Sequence, residues 1–576
     1  MHKTDRGNYQ RAGAPAPAPT HPSPQTFRGR ILLTFATVAM LSLSFAPIKQ
    51  FYLAWVGLVP WLVLIANART KKQTFFWSWL TGILLFAVNM WWTGYVTIPG
   101  GLGLFVYLGL WFPITGLLYR GLRVLAVDNA KSHRTTLAIF AIAAIWIGQE
   151  WMRGNLFTGL PWLFLGHAQT PILAMCQIAD LGSAYAVSFW VMLINAWVAL
   201  LILRRLEFRS MIRPGAAVLA VLVGTLAYGL FRMSQDTLYA GPSVMVVQPN
   251  FPQDNSGSKG ATYDQILDFH LRTTTAALDQ LKSAKRTQPD LILWSETMMP
   301  ELNDLGRQYR HNYELLDHRN MGEFCDQVHE QLAQLARTYQ VNLLVGGHTM
   351  LPAGTLGGKP AWSMRNSAYF YDSKGIQSAL RYDKIHLVPF GEFIPCKESC
   401  PPLYTFFNIF NPYKDLNYTV DPGTELTVFP LGQYRFVCAI CFEDVDARLM
   451  SRMFAGPSGA KRADFMVNLT NDGWFATPQM QQHLQLAVFR CIENRAPTAR
   501  AVNTGISGFI DPLGRAYDLM PVGTTGAMTS QLWLDHRVAP YTRIGDVFGI
   551  ACVIVSGVLM LLAIGNGLKK RKSAGR

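Results

Sequence analysis

Residues 30 to 235 hold one apolar run after another, each long enough, or nearly so, to cross a bilayer as a helix of ~20 residues. Seven are read here, at roughly 30–47, 51–67, 75–97, 101–119, 136–152, 181–203 and 214–232, with an eighth at Val547 to Leu568. The second and fifth are short, and the stretch 170–180 reads as either loop or helix. Nothing else narrows the fold as much, because backbone groups in hydrocarbon must be paired within the protein, which leaves helices as the spanning element. Composition agrees: 50% of the 576 residues are hydrophobic and only 15% are charged.

Basic residues give the runs a direction, since Lys and Arg in short loops stay cytoplasmic. Arg69, Lys71 and Lys72 follow the second run; Arg120, Arg123, Lys131 and Arg134 the fourth; Arg204, Arg205, Arg209 and Arg213 the sixth; Lys569, Lys570, Arg571 and Lys572 the eighth. The alternate short loops hold only Lys49 and Arg153. Both termini are therefore expected in the cytoplasm, and the ~300 residues between the last two helices on the outer face. This bias accounts for most of the +15 net charge without a nucleic-acid partner. Residues 1–28, with Ala14-Pro-Ala-Pro-Ala-Pro19, are too poor in apolar residues to pack and read as a disordered tail. No cleavage site follows them, so a signal peptide is not read.

Between Pro242 and about Asp535 the pattern changes to strands alternating with amphipathic helices. Ser243–Gln248, 290–296, Val341–Gly346, Asn366–Tyr371, Gln377–Tyr382, Gln433–Ile440 and Ala463–Thr470 read as strands. Helices are read at 262–286, around Phe324 to Leu335, from near Asp446, and around Leu484 to Ile492. Such a succession predicts a layered α/β sandwich.

Three of these strands end in chemistry. Leu291-Ile-Leu-Trp-Ser-Glu296 delivers a carboxylate, Arg381-Tyr-Asp-Lys384 an ammonium, and Phe436-Val-Cys-Ala-Ile-Cys441 a thiol. A thiol next to a helix start is held more easily as thiolate. A lone Cys in an apolar strand is more often core, and it is the company of Glu296 and Lys384 that raises Cys441 above that reading.

A Glu, a Lys and a Cys at successive strand ends resemble the nitrilase superfamily. Within it, eight membrane runs with such a domain inserted between the last two are similar to the apolipoprotein N-acyltransferases. The motifs that carry the likeness are Gln248-Pro-Asn250, Trp294-Ser-Glu296, Lys384 with Pro389-Phe-Gly-Glu-Phe393, Cys441-Phe-Glu443, Asn471-Asp-Gly-Trp-Phe475 and the loop Glu150 to Gln169. The sequence departs from the pattern at Asp254 to Ala261, which lacks the Trp of a Lys-Trp pair, and at Cys438.

The resemblance implies a membrane helical bundle plus a nitrilase-like αββα domain, laid out as a cytoplasmic tail (1–28), seven helices (29–235), a periplasmic catalytic domain (240–540), the last helix (544–568) and a basic tail (569–576). It implies an inner-membrane enzyme that moves an acyl chain from a phospholipid, through a thioester on Cys441, to the N-terminal amine of a diacylglyceryl apolipoprotein, with no cofactor or metal. Glu296 would be the base and Lys384 the oxyanion partner. Glu392 and Glu443 would either orient Lys384 and the incoming amine or be ordinary ion pairs. Asn471 and Trp474 would line the site, and Glu150 and Arg153 would meet a lipid headgroup, since ionisable groups at membrane depth mark sites. The alternative is a membrane-tethered amidase using the same triad. A transporter or sensor with an inactive outer domain fits less well with an intact triad.

Cys396-x-x-x-Cys400 and Cys438-x-x-Cys441 have spacings that also suit zinc, but neither pair has a loop that would wrap a metal. A Cys396–Cys400 disulfide suits an oxidising compartment better. The aromatic run Tyr404, Phe406, Phe407, Ile409, Phe410 and Tyr413 reads either as core or as a lid that dips into the interface.

Overall fold

The computed structural model describes residues 26–122, 132–253, 259–311, 321–356, 359–397, 399–409, 420–475 and 477–574. The tail before residue 26, Arg123, Lys131, Asp254 to Gly257, Ser258, Phe410 and Tyr413 lie outside them, as do the side chains of Lys569 to Lys572.

The N-terminal half is a bundle of α1 (Phe27–Ser44), α2 (Val59–Ala66), α3 (Lys71–Met90), α4 (Ile98–Gly109), α5 (Trp111–Leu122), α6 (Ser132–Asn155), α7 (Leu173–Cys176), α8 (Ala179–Leu203) and α9 (Phe208–Ser234). Among the described residues seven spans are long and apolar enough to cross a membrane: Phe27–Ser44, Lys71–Tyr95, Ile98–Leu122, Ser132–Asn155, Ala179–Leu203, Phe208–Ser234 and Val547–Gly565. The second expected run is different. It is a 3-10 turn, Phe51–Trp55, followed by α2, and eight residues rise only about 12 Å. A broken helix among apolar neighbours leaves backbone groups to satisfy, and Asn195 of α8 does so from a fully buried position. Its Oδ1 accepts from Leu58 N at 2.8 Å and its Nδ2 donates to Ala54 O at 2.8 Å.

The α3–α4 crossing is set by glycine. A Cβ on Gly82 would stand 2.7 Å from Gly109 O, and one on Gly109 would stand 3.0 Å from Ile83 N, so neither can carry a side chain. Arg120 ties the end of α5 to the chain after α2, donating to Ala68 O and, at 2.9 Å, to Arg69 O. Arg204, at the end of α8, donates to Thr135 Oγ1 at the start of α6 at 2.6 Å. These basic helix ends therefore share one face of the bundle.

Two six-stranded sheets follow. The first orders β12 (Gly526–Asp535), β1 (Leu238–Gln248), β2 (Leu291–Trp294), β3 (Asn342–Leu356), β4 (Lys359–Tyr371) and β5 (Gln377–Asp383). The second orders β11 (Ala516–Met520), β10 (Ser507–Ile510), β9 (Thr498–Val502), β8 (Phe465–Thr470), β7 (Tyr434–Ile440) and β6 (Val428–Leu431). β1, β2 and β3 run parallel, with Val246 opposite Leu293 and Leu293 opposite Leu344. So do β7, β8 and β9. Alternation along the strands sorts the core. Val244, Val246, Leu291, Leu293 and Leu344 meet Phe436, Cys438, Val467 and Ala501 between the sheets. Met245, Val247, Ile292, Trp294 and Val345 face α10 (Tyr263–Ser283) and α12 (Met321–Tyr339) on the outside, with α11 (Asp304–His311) beside them.

Several strands exceed or escape the sequence reading. β3 and β4 pair out to Leu356↔Lys359, through a register shift after Pro352, and the mixed residues His348 to Thr355 carried no alternation to reveal it. β6 and β9 to β11 are only four or five residues each, too short for periodicity to separate from loop or helix, and β12 is longer but mixes Thr529, Ser530 and Gln531 into its middle. Between β5 and β6 lies α13 (Pro401–Asn408); α14 (Ala447–Phe454) and α15 (Thr477–Asn494) cover the second sheet, and α16 (Pro540–Ile544) leads into α17 (Val547–Ala574).

α15 joins the two halves. Leu486, Ala487, Val488, Phe489, Cys491 and Ile492 belong to the same apolar cluster as α2, α6 and α8. Its polar face is buried too. Gln482 accepts from Trp162 Nε1 (2.7 Å) and Trp92 Nε1 (3.3 Å) and donates to Asn89 O (3.1 Å) and Ala46 O (3.3 Å). Glu493 accepts from Ser183 Oγ at 2.6 Å and pairs with Arg490 at 2.7 Å. Arg495, just past its end, holds Asp180 at 2.6 Å with both groups fully buried.

Candidate active site

The chain leaves β7 at Cys441 with φ +52°, a left-handed conformation that costs a non-glycine residue energy and turns the thiol out of the sheet. The helix expected from near Asp446 is α14, which begins at Ala447 with Asp446 capping Arg448 N (2.9 Å) and Leu449 N (3.0 Å); between it and β7, Cys441–Val445 forms a 3-10 turn. The thiol therefore stands at the start of the turn and not of α14.

Glu443 shapes that turn. One carboxylate oxygen accepts from Ile440 N at 2.7 Å; the other accepts from Ile385 N (2.7 Å), His386 N (3.0 Å) and Tyr382 OH (2.8 Å). It is fully buried and holds the Ile385 amide, the next in the chain after Lys384.

Glu296 emerges two residues past β2, and Lys384 one past β5. Lys384 Nζ lies 2.9 Å from Glu392 Oε1 and 3.4 Å from Glu296 Oε1. Glu392 is fixed in turn by Val388 N at 2.7 Å. Glu296 Oε2 accepts from Asn471 N at 2.8 Å, and the Asn471 side chain spans Gln253 Oε1 and Asn503 Nδ2, each at 2.9 Å. Asn366 went unnoticed in the sequence, yet its Nδ2 bridges Glu296 Oε1 (2.8 Å) and Glu392 Oε1 (3.3 Å). The signal was an asparagine inside a strand, where that residue is depleted. Lys259 also lies close, donating to Thr297 O beside Glu296; burial lowers its ammonium to about 8, with the Glu296 charge opposing.

Glu296, Glu392 and Lys384, crowded in a largely buried site, set the proton balance. Burial raises the Glu296 carboxyl, with Glu392 adding to it and Lys384 and Asn366 opposing. Burial likewise raises the half-buried Cys441 thiol, the Glu296 charge adding and Lys384 opposing. Lys384 is desolvated as well, yet Glu392 and Glu296 hold its ammonium above the usual value. A raised thiol, a raised carboxyl and a retained cation side by side are suited to general-base activation of sulfur and stabilisation of a developing oxyanion.

Trp474 is half-buried in the 3-10 turn Asp472–Trp474 that follows Asn471. Glu150 and Arg153 sit on the last turns of α6, not in a loop, and both are buried, which corrects the expected headgroup contact. Glu150 Oε1 accepts from Leu165 N (3.0 Å) and Trp146 Nε1 (2.9 Å); Arg153 donates to Trp162 O (2.6 Å) and lies over the rings of Phe86 and Phe164. Together they hold the loop that presents Trp162, whose ring stacks on Phe442 at 6.5 Å and 7°. Cys396 and Cys400 are free thiols, and Cys438 is buried between the sheets. For the described part of the aromatic run, Tyr404 to Ile409, the core reading fails: α13 buries no residue, and Phe406 and Ile409 are 53% and 64% exposed.

A helical membrane region fused to a double-sheet domain with a thiol, a carboxylate and a lysine at neighbouring strand ends defines a membrane-bound carbon–nitrogen hydrolase fold. The comparisons agree. Residues 246–534 match the carbon–nitrogen hydrolase family, and residues 38–197 match the apolipoprotein N-acyltransferase N-terminal domain. The chain is 28% identical over 542 residues to an apolipoprotein N-acyltransferase of Geobacter metallireducens, covering 92% of this chain and 95% of that one. It is 30% identical over 480 residues to one of Bradyrhizobium diazoefficiens, covering 82% and 79%. An amidase from Nesterenkonia sp. aligns with 54% of this chain and 95% of its own at 15% identity and a TM-score of 0.33. The chain belongs to the apolipoprotein N-acyltransferase family, and it is a multi-pass membrane acyltransferase.

Proposed function

We propose that the protein transfers a fatty acyl chain from a membrane phospholipid to the α-amine of a diacylglyceryl-cysteine apolipoprotein, through a thioester on Cys441. The observation that carries this reading is the convergence of Glu296, Lys384 and the left-handed Cys441 beside Phe442, on which the membrane loop lays Trp162. Glu296 takes the thiol proton as sulfur attacks the ester carbonyl. The negative charge on the tetrahedral oxygen is met by Lys384 and by the Phe442 N–H, in the first turn of a 3-10 helix, where amides lack partners within the helix. Collapse expels the lysophospholipid, whose oxygen takes the proton back from Glu296. The amine then attacks the thioester, Glu296 removes its proton, and the thiol leaves reprotonated with the amide formed.

Transfer rather than hydrolysis requires the thioester to outlast encounters with water. With phospholipid and no acceptor, an acyl group sensitive to hydroxylamine should accumulate and be discharged by a diacylglyceryl peptide. Steady release of free fatty acid without acceptor, as fast as turnover with it, would favour the amidase-type reaction instead.

The bundle face carrying Arg69, Arg120 and Arg204 lies opposite the end where Ser183 and Asp180 meet α15. With the positive-inside bias, this supports an inner-membrane protein whose 240–540 domain is periplasmic, with the 1–28 and 569–576 tails in the cytoplasm and helices over 29–235 and 544–568. A reporter active only in the periplasm should work when inserted near Gly257 and fail when fused after Lys572; the reverse pattern would sink the topology.

A further inference from the structure

Directly beneath the nucleophile lies a buried ionic cluster that the reaction as written does not use. Asp444 follows Cys441 by three residues in the 3-10 turn; Asp472 follows Asn471, whose N–H holds Glu296. Between them stands His483 of α15. Its Nε2 is 2.6 Å from Asp444 Oδ1 and its Nδ1 is 2.9 Å from Asp472 Oδ1. Carboxylates accept and do not donate, so both ring nitrogens must carry protons, and only the imidazolium has two. Arg500 of β9 completes the set, donating to Asp444 Oδ2 and lying 3.9 Å from Asp472 Oδ2, so two anions face two cations. All four side chains are at most 2% exposed.

We infer that His483 is a positioning residue: as an imidazolium it clamps the turn bearing Cys441 to the turn bearing Asn471, and so sets the distance from the thiol to its base. The inference rests on Cys441 and Glu296 being nucleophile and base. The two turns come from different strands, and no backbone hydrogen bond between them is found among the described residues. The membrane region touches the clamp as well, since the Trp162 ring lies 6.1 Å from the His483 ring. The charged groups facing His483 are Asp444 from the nucleophile turn, Asp472 from the Asn471 turn and Arg500 from β9, with Arg490 of its own helix acting on Asp444. Burial lowers the His483 value, but Asp444 and Asp472 outweigh it and raise it to about 9. Because the folded value exceeds the unfolded one of about 6.5, the clamp is fully present below pH ~6.5 and is lost as pH rises through about 9.

The test compares the full-length wild type with His483→Gln and Asp472→Asn in vesicles of a phosphatidylethanolamine bearing one labelled acyl chain. The rate of acyl-adduct formation on Cys441, KM for the donor and the thermal midpoint are followed across pH. A misplacement of about 1 Å costs on the order of 100-fold in rate. His483→Gln should lose about that much in acylation rate, with the donor KM within about twofold, and should lack the fall that the wild type shows above pH 9. Should His483→Gln fail to fold, Asp472→Asn, which keeps an acceptor for the ring, must still lose about tenfold at unchanged KM. Wild-type rates in either folded variant, or a loss that matches the unfolded fraction, would overturn the clamp. An adduct in the wild type on a residue other than Cys441 would instead overturn the nucleophile assignment, and the clamp with it.

Discussion

Cys441→Ala should form no acyl adduct and have no measurable transferase activity, while Cys438→Ala should still acylate. The two thiols are three residues apart on one strand, and their surroundings separate them. Cys438 is fully buried between the sheets, and burial followed by the Glu443 charge raises its thiol well above the usual range, with no cation opposing. Cys441 is also raised, but it is half-buried at a left-handed turn, where the charges of both Glu296 and Lys384 act on it. A thiol without a base at neutral pH is mostly unionised, since its ordinary value is about 8.5. Intact-mass measurement after incubation with phospholipid reads the outcome directly. An adduct that persists in Cys441→Ala and vanishes in Cys438→Ala would move the nucleophile.

Glu296→Gln should lower the acylation rate by on the order of 10²–10⁴-fold, the range for a positioned general base. The amide keeps the size of the side chain and an oxygen for Asn471 N, so folding should be spared while proton removal is lost. Lys384→Met should cost about 10²–10³-fold through the oxyanion, and it has a second effect. Without the ammonium, Glu296 and Glu392 share only Asn366, and like charges that close disfavour double ionisation, so one carboxyl takes up a proton. As a general base Glu296 would work only when ionised. Its raised value therefore predicts that the acylation rate falls, as pH is lowered, at a higher pH than an ordinary carboxylate would give. Single-turnover rates against pH check this, and a flat acid limb, or full activity in Glu296→Gln, would remove Glu296 from the base role.

How far the sequence carried this reading depended on whether a signal was local. Phe436 to Ile440 and Leu291 to Trp294 are strands by their own apolar character, and a polar group at the end of a buried strand stands out. Asn366 did not stand out, because its work is to bridge two carboxylates that arrive from residues 70 positions before it and 26 after it. Glu150 and Arg153 stood out for the wrong reason. Charges at membrane depth mark a requirement, and here the requirement is the backbone of the loop carrying Trp162 rather than a lipid.

The sequence by itself determined the two kinds of matter in the chain. Long apolar runs are helices in lipid, and alternating strands and amphipathic helices layer. The tertiary structure alone decided how the halves are joined. α15 reads as an amphipathic helix with one apolar face, yet Gln482, His483, Gln485, Arg490 and Glu493 outside that face are buried as well. Periodicity records which side of a helix is polar; it does not record whether that side meets solvent or a matching set of donors and acceptors. Here it meets Trp92, Trp162, Ser183 and Asp444, supplied by segments 39 to 390 residues away. Buried polar groups are tolerated only when paired, and pairing across such separations exists only once the chain has folded.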